Sequence, residues 1–592
     1  MDRTGIIVVS LCVVLLGAWF VFEKKQADAL QLQRLANPPP VTAVQNPPAA
    51  SPGASPAAAT PTLATGVPAF DTNAPEELIV LTNASARYTF TSRGGGLKSI
   101  ELPGYPEAVP LRWKKQMATN GVASLNTHAP LPVLTVLGDA SIVGDGNFTL
   151  TKIPGGLRAE KFLPDGLRLV KEFQLASNYL VNASVRMENT AGKPLALPAQ
   201  EWVVGTATPT GPDDNGAALG AMWSDGASSE ECTVGFFNTN TTTFFFFPRV
   251  PKPEYQAGAS NVVWAAAHNQ FFALIAMPKE PARAMTARPV VLPDSQYAST
   301  SAGIQTALVY PAQTLAAGQS LERQIVLFAG PKEYRTLARV GAEFHNRADL
   351  VMQFGFFGFF AKALLSAMNW LHDVTHLGYG WVIVLITVIV KLVFWPLTRA
   401  STRSMKRMQA LAPELAALKE KYKDDLQKFT AKQWEVYKKN KVNPMSGCLP
   451  MLVQTPVFIG FFTMIRSAIE LRGAHFLWVT DLSKPDTLFI IPGLDFPFNL
   501  LPLLMGGAML WQSHLTPMSP GMDASQAKLM RYMPLMFLVF LYNYSAGLAL
   551  YWTVNNLLTI VQTKMTNAST TPAAPAAPAP VSALTPASKR KK

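Results

Sequence analysis

Hydrophobic and polar positions divide this 592-residue chain into stretches that follow three different patterns. The first is unbroken. Thr4–Phe22 is 19 residues without a charge, preceded by Arg3 and followed by Glu23-Lys24-Lys25. At 1.5 Å per residue a helix of that length reaches ~28 Å, close to the ~30 Å bilayer core, so residues 1–25 are expected to be an N-terminal transmembrane anchor. A cleaved signal peptide is the rival reading, supported by Ala27-Asp28-Ala29. Against it, the apolar run exceeds the usual ~7–15 residues and charges separate it from that site. Residues 26–75 are dense in Pro and Ala, as in Pro38-Pro39-Pro40 and Pro47-Pro48, and read as a semi-extended linker.

The second pattern alternates. Val181, Ala183, Val185 and Met187 interleave with Asn182, Ser184, Arg186 and Glu188, the period of a half-buried strand. A turn cluster, Asn189-Thr190-Ala191-Gly192-Lys193-Pro194, follows it. Similar short runs recur, such as Phe148–Ile153 before Pro154-Gly155-Gly156, and no long amphipathic helical run competes. Residues 76–345 are therefore expected to form a large β-sandwich domain.

From Asp349 the pattern is apolar again. Leu350–Ala361 carries five phenylalanines but is too short to span, so an interfacial amphipathic helix is expected within residues 346–376, continuing to Trp370. Then come Gly378–Pro396, interrupted only by Lys391, and the charge-free runs Met445–Ile465, Phe496–Ser513 and Tyr532–Thr563. The last would be ~48 Å long as one helix, and Ser545-Ala546-Gly547 near its middle favours a turn. It is read as a hairpin of two short helices, about 532–545 and 548–564. The expected fold class is an α-helical polytopic membrane protein of six spans with a β-sandwich domain outside. Residues 377–565 form its core, and residues 566–592 a Pro/Ala-rich basic tail.

Charge agrees with that count. Arg399–Lys441 holds 12 Lys/Arg against 5 Asp/Glu, and the chain ends in Lys589-Arg590-Lys591-Lys592. With the first segment cytoplasmic, six crossings place the tail inside and the β-domain outside, as the positive-inside rule asks. Most of the net charge of +13 thus reports topology, although a patch for anionic lipid or ribosomal RNA is compatible with it. Charged residues are only 15% of the chain, against about 25% in soluble domains. Leu411, Leu415 and Leu418 at helical spacing, with Pro413 near a helix start, make 399–443 a cytoplasmic helical hairpin rather than a loop. Three cysteines, with Cys232 alone in the β-domain, give no disulfide framework and no metal set.

Lys391 is the candidate chemistry. It lies eight residues before Arg399, about 12 Å up the helix, where a lysine costs ~2.5–3.5 kcal/mol. Snorkelling to the membrane edge and a one-sided polar cavity are both open from periodicity alone. No span contains an acidic residue to neutralise it, and Thr387, Gln454-Thr455 and Asn555-Asn556 are further polar groups in spans. His372-Asp373-Val374-Thr375-His376 lacks the glutamate of a zinc protease, and Arg93–Ser99 misplaces the glycines of a phosphate loop. No catalytic residue, metal site or cofactor is expected.

Lys391-Leu392-Val393-Phe394-Trp395-Pro396-Leu397-Thr398, Val442-Asn443-Pro444, Gly447-Cys448, Pro450, Gln454-Thr455-Pro456, Glu470-Leu471-Arg472 and Gly547-Leu548 to Asn555 together resemble the YidC/Oxa family of membrane protein insertases, in its Gram-negative form. The resemblance implies a membrane insertase and chaperone of the cell inner membrane with a five-helix core around a hydrated groove. It implies that Lys391 is the groove cation, where the family often carries Arg, and that Thr387, Gln454, Trp552 and Asn555 line the wall. Trp552 departs from a frequent Tyr. Arg399, Arg403, Lys406 and Arg407 would contact partners at the cytoplasmic hairpin. Implied partners are nascent and small integral membrane proteins, the Sec translocon, the ribosome or signal recognition particle pathway, and membrane lipid. A transporter or channel using Lys391 as its binding site is the alternative, but no inverted repeat accompanies it.

Overall fold

The computed structural model describes residue 70 and residues 74–109, 121–211, 214, 216–237, 242–243, 247–248, 252–292, 302–423, 425–440, 442–443, 449–493, 496–515, 532 and 536–568. The expected N-terminal anchor, nearly all of the linker, the tail from residue 569, and Pro444, Gly447 and Cys448 of the motif lie outside these residues.

The alternation at 181–188 forms the strand Leu180–Asn189, with Val181, Val185 and Met187 wholly buried. It pairs antiparallel with Leu167–Leu175 on one side and Ser320–Pro331 on the other. These belong to a nine-stranded sheet running outward through Phe272–Pro278, Trp264–His268, Gly220–Ser224 and Ser229–Thr233, and the other way through Gly156–Phe162 and Thr149–Ile153. A five-stranded sheet containing Gln200–Ala207, Ala284–Val291 and Ala302–Tyr310 faces it, with Phe173, Trp202 and Met285 in the shared core. A four-stranded sheet, Leu78–Thr82 to Val122–Leu125, adds Tyr88 and Phe90 to that core. The domain is thus a sheet-on-sheet sandwich.

All seven residues of Phe272–Pro278 are buried, because this strand has a partner on each face. Phe272, Leu274 and Ala276 point into the sandwich, whereas Ala273, Ile275 and Met277 join Trp264 and Phe328 in a second core shared with the helices. That second core begins at α1 (Tyr334–Glu343) and a 3₁₀ turn at Ala348–Met352. Helix α2 (Gly358–Thr375), in the segment expected to be interfacial, starts later than the apolar run suggests, because Gln353 and Gly355 adopt left-handed conformations and break it. Its Ala361, Leu365 and Met368 are buried while Phe356, Phe359 and Trp370 are exposed at this end of the helix bundle.

α3 (Tyr379–Ala410) carries Lys391 and is the one helix among the described residues that is long and apolar enough to cross a membrane by length and composition. Its end leads into α4 (Ala412–Lys421) and α5 (Leu426–Lys439), which close a small core of Met408, Leu415, Val436 and Tyr437. Asp425 caps α5 by accepting from the Lys428 amide at 3.0 Å. α6 (Leu449–Ser467) follows and packs against α2.

Two boundaries differ from the apolar runs. α7 (Leu500–Leu515) starts at Leu500 because Phe496–Asn499 pairs as a strand with Thr487–Ile491. The long final run breaks at residues 542–545, between a helical stretch at 536–541 and α8 (Ala546–Ala568), so Ala546 and Gly547 belong to the helix rather than to the turn. Gly547 is needed there for close approach. Its N–H donates to the Leu482 carbonyl at 2.8 Å, and a Cβ would sit 3.1 Å from that oxygen.

The β-domain is tied to the helices by polar contacts as well as by the second core. Arg472, just past α6, donates to the carbonyls of Pro106 at 2.8 Å and Glu107 at 2.9 Å, with its guanidinium 5.5 Å from the Phe272 ring centre. Gln270 donates to the Arg466 carbonyl at 3.1 Å. Nearby, the Asn369 amide of α2 donates to Glu470 at 2.8 Å, and burial pushes the Glu470 carboxyl above the usual range.

Candidate functional site

Lys391 sits past the midpoint between the β-domain end of α3 and the stripe of Arg399, Arg403 and Arg407, which recur every fourth residue and are exposed. Lys406, one helical step before Arg407, is half-buried. Around Lys391 the helix has two faces. Leu392 and Val393 are 61% and 67% exposed, as lipid-facing residues would be. The amine turns the other way, across to α8, and donates to Thr559 Oγ1 at 2.8 Å. It makes no ion pair among the described residues, where its hydrogen-bond partner is a neutral hydroxyl.

From Thr559 a polar seam runs along α8 to α6. The Thr559 hydroxyl donates to the Asn555 carbonyl at 2.7 Å. The Asn555 side-chain oxygen accepts from Gln454 Nε2 at 2.9 Å, and the same amide reaches the Tyr551 hydroxyl at 3.4 Å. Three helices are thus bridged through five side chains across two turns of α8. The Tyr551 ring is fully buried and stacks on Phe461 with centroids 4.1 Å apart, which fixes its hydroxyl against the seam.

The other expected wall residues take different places. Thr387, one turn before Lys391, is buried, and its hydroxyl donates to its own helix at the Ile383 carbonyl, 2.7 Å away. Trp552 contributes an apolar face, its ring 4.5 Å from Phe458 and 5.7 Å from Phe537. Tyr551, the adjacent residue, points to a different side of α8, against Phe461. Neither Tyr551 nor Thr559 stood out in the sequence. The signal was the spacing Tyr551, Asn555, Thr559, Gln562, Thr566, which is one stripe of a helix. Buried in α8, Asn556 Nδ2 and both polar atoms of Gln562 have no hydrogen-bond partner among the described residues. Leaving such groups unsatisfied costs ~1–3 kcal/mol each.

Other candidate chemistry is accounted for locally. His372 Nδ1 lies 2.7 Å from the Leu377 carbonyl and its ring stacks on Tyr379, while His376 caps α2 in a left-handed conformation. No group of three potential metal ligands occurs among the described residues. Cys232 is a buried thiol on an edge strand.

Residues 370–573 match the family described as 60Kd inner membrane protein, and residues 157–367 match the YidC periplasmic domain. A relative named membrane protein insertase YidC, from Pseudomonas fluorescens strain SBW25, is 31% identical over 523 residues, covering 83% of this chain and 85% of its own. One of the same name from Bordetella pertussis is 32% identical over 519 residues, covering 83% and 82%. A third, from Nitrosococcus oceani, reaches 45% identity over 253 residues, 43% of each chain. With the family matches falling on the β-domain and on the helices that build the Lys391 seam, this chain belongs to the YidC family.

Proposed function

We propose that this chain inserts integral membrane proteins into the inner membrane and helps them fold, with the seam around Lys391 guiding the polar tail of the incoming protein. The carrying observation is the Lys391 amine, turned away from the exposed side of α3 and, among the described residues, held by the Thr559 hydroxyl. A cation so placed attracts a carboxylate without being consumed by one. Gln454, Asn555 and Tyr551 extend the polar track, and Trp552 with Phe458 offers an apolar wall for the helix that follows the tail.

The mechanism needs no nucleotide or cofactor. A polar seam reaching part-way into the membrane shortens the hydrocarbon barrier that a tail must cross. The client's own apolar helix then moves into lipid, stabilised by ~0.8 kcal/mol per buried CH₂. Lysine offers a point charge where arginine would grip a carboxylate bidentately, so selectivity rests on charge rather than geometry.

The topology that serves this role has six spans, the β-domain periplasmic, and the α4–α5 hairpin and C-terminus cytoplasmic. The hairpin, with Arg399, Arg403, Lys406 and Arg407 at its base, is the contact for the ribosome or signal recognition particle pathway, and the core works alone or beside the Sec translocon. In cells depleted of the native insertase, Lys391→Ala is expected to reduce insertion of small membrane proteins with acidic N-terminal tails about tenfold, and Lys391→Arg to preserve it. Unchanged insertion by Lys391→Ala would remove the charge-capture role.

A further inference from the structure

At the end of the helices remote from the α4–α5 hairpin, the β-domain and the core enclose a cleft of about 440 Å³. That volume lies in the range of small-ligand sites. Two cations reach it from separate elements: Arg466 from the last turn of α6, and Lys484 from the loop that follows. Neither has a carboxylate within ion-pair distance among the described residues. Asn543 and Ser545, from the break before α8, add polar groups, and Phe462 and Leu548 supply apolar walls. Asp214 stands at the β-domain rim, with its carboxylate accepting from the amides of Thr210 at 2.7 Å and Gly211 at 3.2 Å. It is committed to that turn, and Arg472 offsets its charge.

The apolar side of the cleft continues outward. The Phe462 ring lies 5.8 Å from that of Tyr544, which is 43% exposed. The adjoining helical stretch presents Met536, Val539 and Phe540 at 53%, 76% and 69% exposure. An apolar surface of this kind beside α7 and α8 is lipid-facing, and it leads directly to two cations at the level where the helices end.

We propose that this cleft holds the headgroup of an anionic phospholipid from the leaflet on the β-domain side. The phosphate sits between Arg466 and Lys484, and one acyl chain follows Phe462 and Tyr544 onto the exposed face of residues 536–541. Arginine pairs bidentately with phosphate, and basic pockets at helix ends favour acidic headgroups. An acidic peptide segment would satisfy the cations but not the apolar track. The lipid stands under the contact between Gln270 and the Arg466 carbonyl, so it occupies the joint between β-domain and core. This assignment depends on the helices lying in a membrane and not on the role of Lys391.

The test uses the purified full-length protein in nanodiscs of equal phosphatidylglycerol and phosphatidylcholine, with retained lipid counted by native mass spectrometry. Selective retention of phosphatidylglycerol is expected. R466Q/K484Q is expected to weaken it at least tenfold, whereas R466K/K484R and the charge-matched hairpin control K438Q/K439Q keep it. Equal retention by R466Q/K484Q overturns the proposal, and so does equal loss in R466K/K484R. Displacement of the lipid by soluble glycerol phosphate or by an acidic peptide, at lower concentration than by short-chain phosphatidylglycerol, overturns the lipid assignment.

Discussion

Lys391 is costly in any apolar stretch, and what it does follows from the direction its side chain takes. A snorkelling lysine runs along its own helix toward the headgroups. This one crosses to Thr559 on α8. The pair therefore couples two helices, and Thr559→Val should destabilise the protein by ~1–3 kcal/mol in thermal unfolding of the detergent-solubilised chain, with Thr559→Ser close to wild type. In a cycle with Lys391→Met the two losses should fall short of additive by about 0.6 kcal/mol or more, since each removes the same bond. Lys391, Gln454 and Asn555 could be picked out as polar groups in apolar runs. Tyr551 and Thr559 could not, because tyrosine and threonine are common in spans and only helix phase reveals that they share the stripe of Asn555.

Element boundaries depended on contacts outside the element. The run Phe496–Ser513 has the composition of a span from its first residue, yet Phe496–Asn499 is taken by strand pairing, and Asn499 donates to the Tyr542 carbonyl at 2.9 Å. Gly547 looked like a turn residue and is instead a helix position whose backbone touches Leu482. In both cases a local rule was outweighed by a partner distant in sequence. The α4–α5 hairpin was more legible, because its leucine spacing and Pro413 near a helix start are local signals, whereas its cap, Asp425, emerged only from the structure. It holds together through its own small core, so deleting residues 411–439 should leave the rest folded, as judged by an unchanged thermal transition. The same deletion should lower co-translational delivery of clients in a depletion strain; normal delivery would take the hairpin out of the mechanism.

At the scale of the molecule, the β-domain is a foundation for the helices as well as a sandwich. Arg472 carries two of the hydrogen bonds across the joint, and Arg472→Ala should loosen it by about 2–3 kcal/mol, seen as faster amide hydrogen exchange at residues 105–109 and 466–472 while the sandwich core stays protected. Inside the sandwich, Lys171 is completely buried. Its amine donates to the Gly94 carbonyl at 2.6 Å and the Leu134 carbonyl at 2.7 Å, 4.6 Å from the Phe148 ring centre. Burial, aided by repulsion from Lys161, pulls its pKa down to about 7, and burial pulls that of Lys332 down to about 8. Between those values and the unfolded value of ~10.4 the unfolded chain binds more protons, so stability must rise with pH. The thermal transition of the β-domain should climb by several degrees from pH 7 to pH 9.5, and the climb should shrink in Lys171→Met. Lys171 falls in the apolar phase of its strand, between Leu169 and Phe173, but that it turns inward onto the Gly94 and Leu134 carbonyls is decided by segments distant in sequence. What the sequence by itself determined is the succession of patterns: alternating strands, charge-free helices, a basic hairpin, and one lysine where hydrocarbon should be. These are properties of short windows, set by the period of each backbone form and by the cost of burying charge. Which faces meet was decided only in three dimensions: that Phe272–Pro278 buries both sides, that Thr559 receives Lys391, and that Arg466 and Lys484 share one cleft. Each such contact joins residues from separate segments, and its energy exists only once the fold has brought them together.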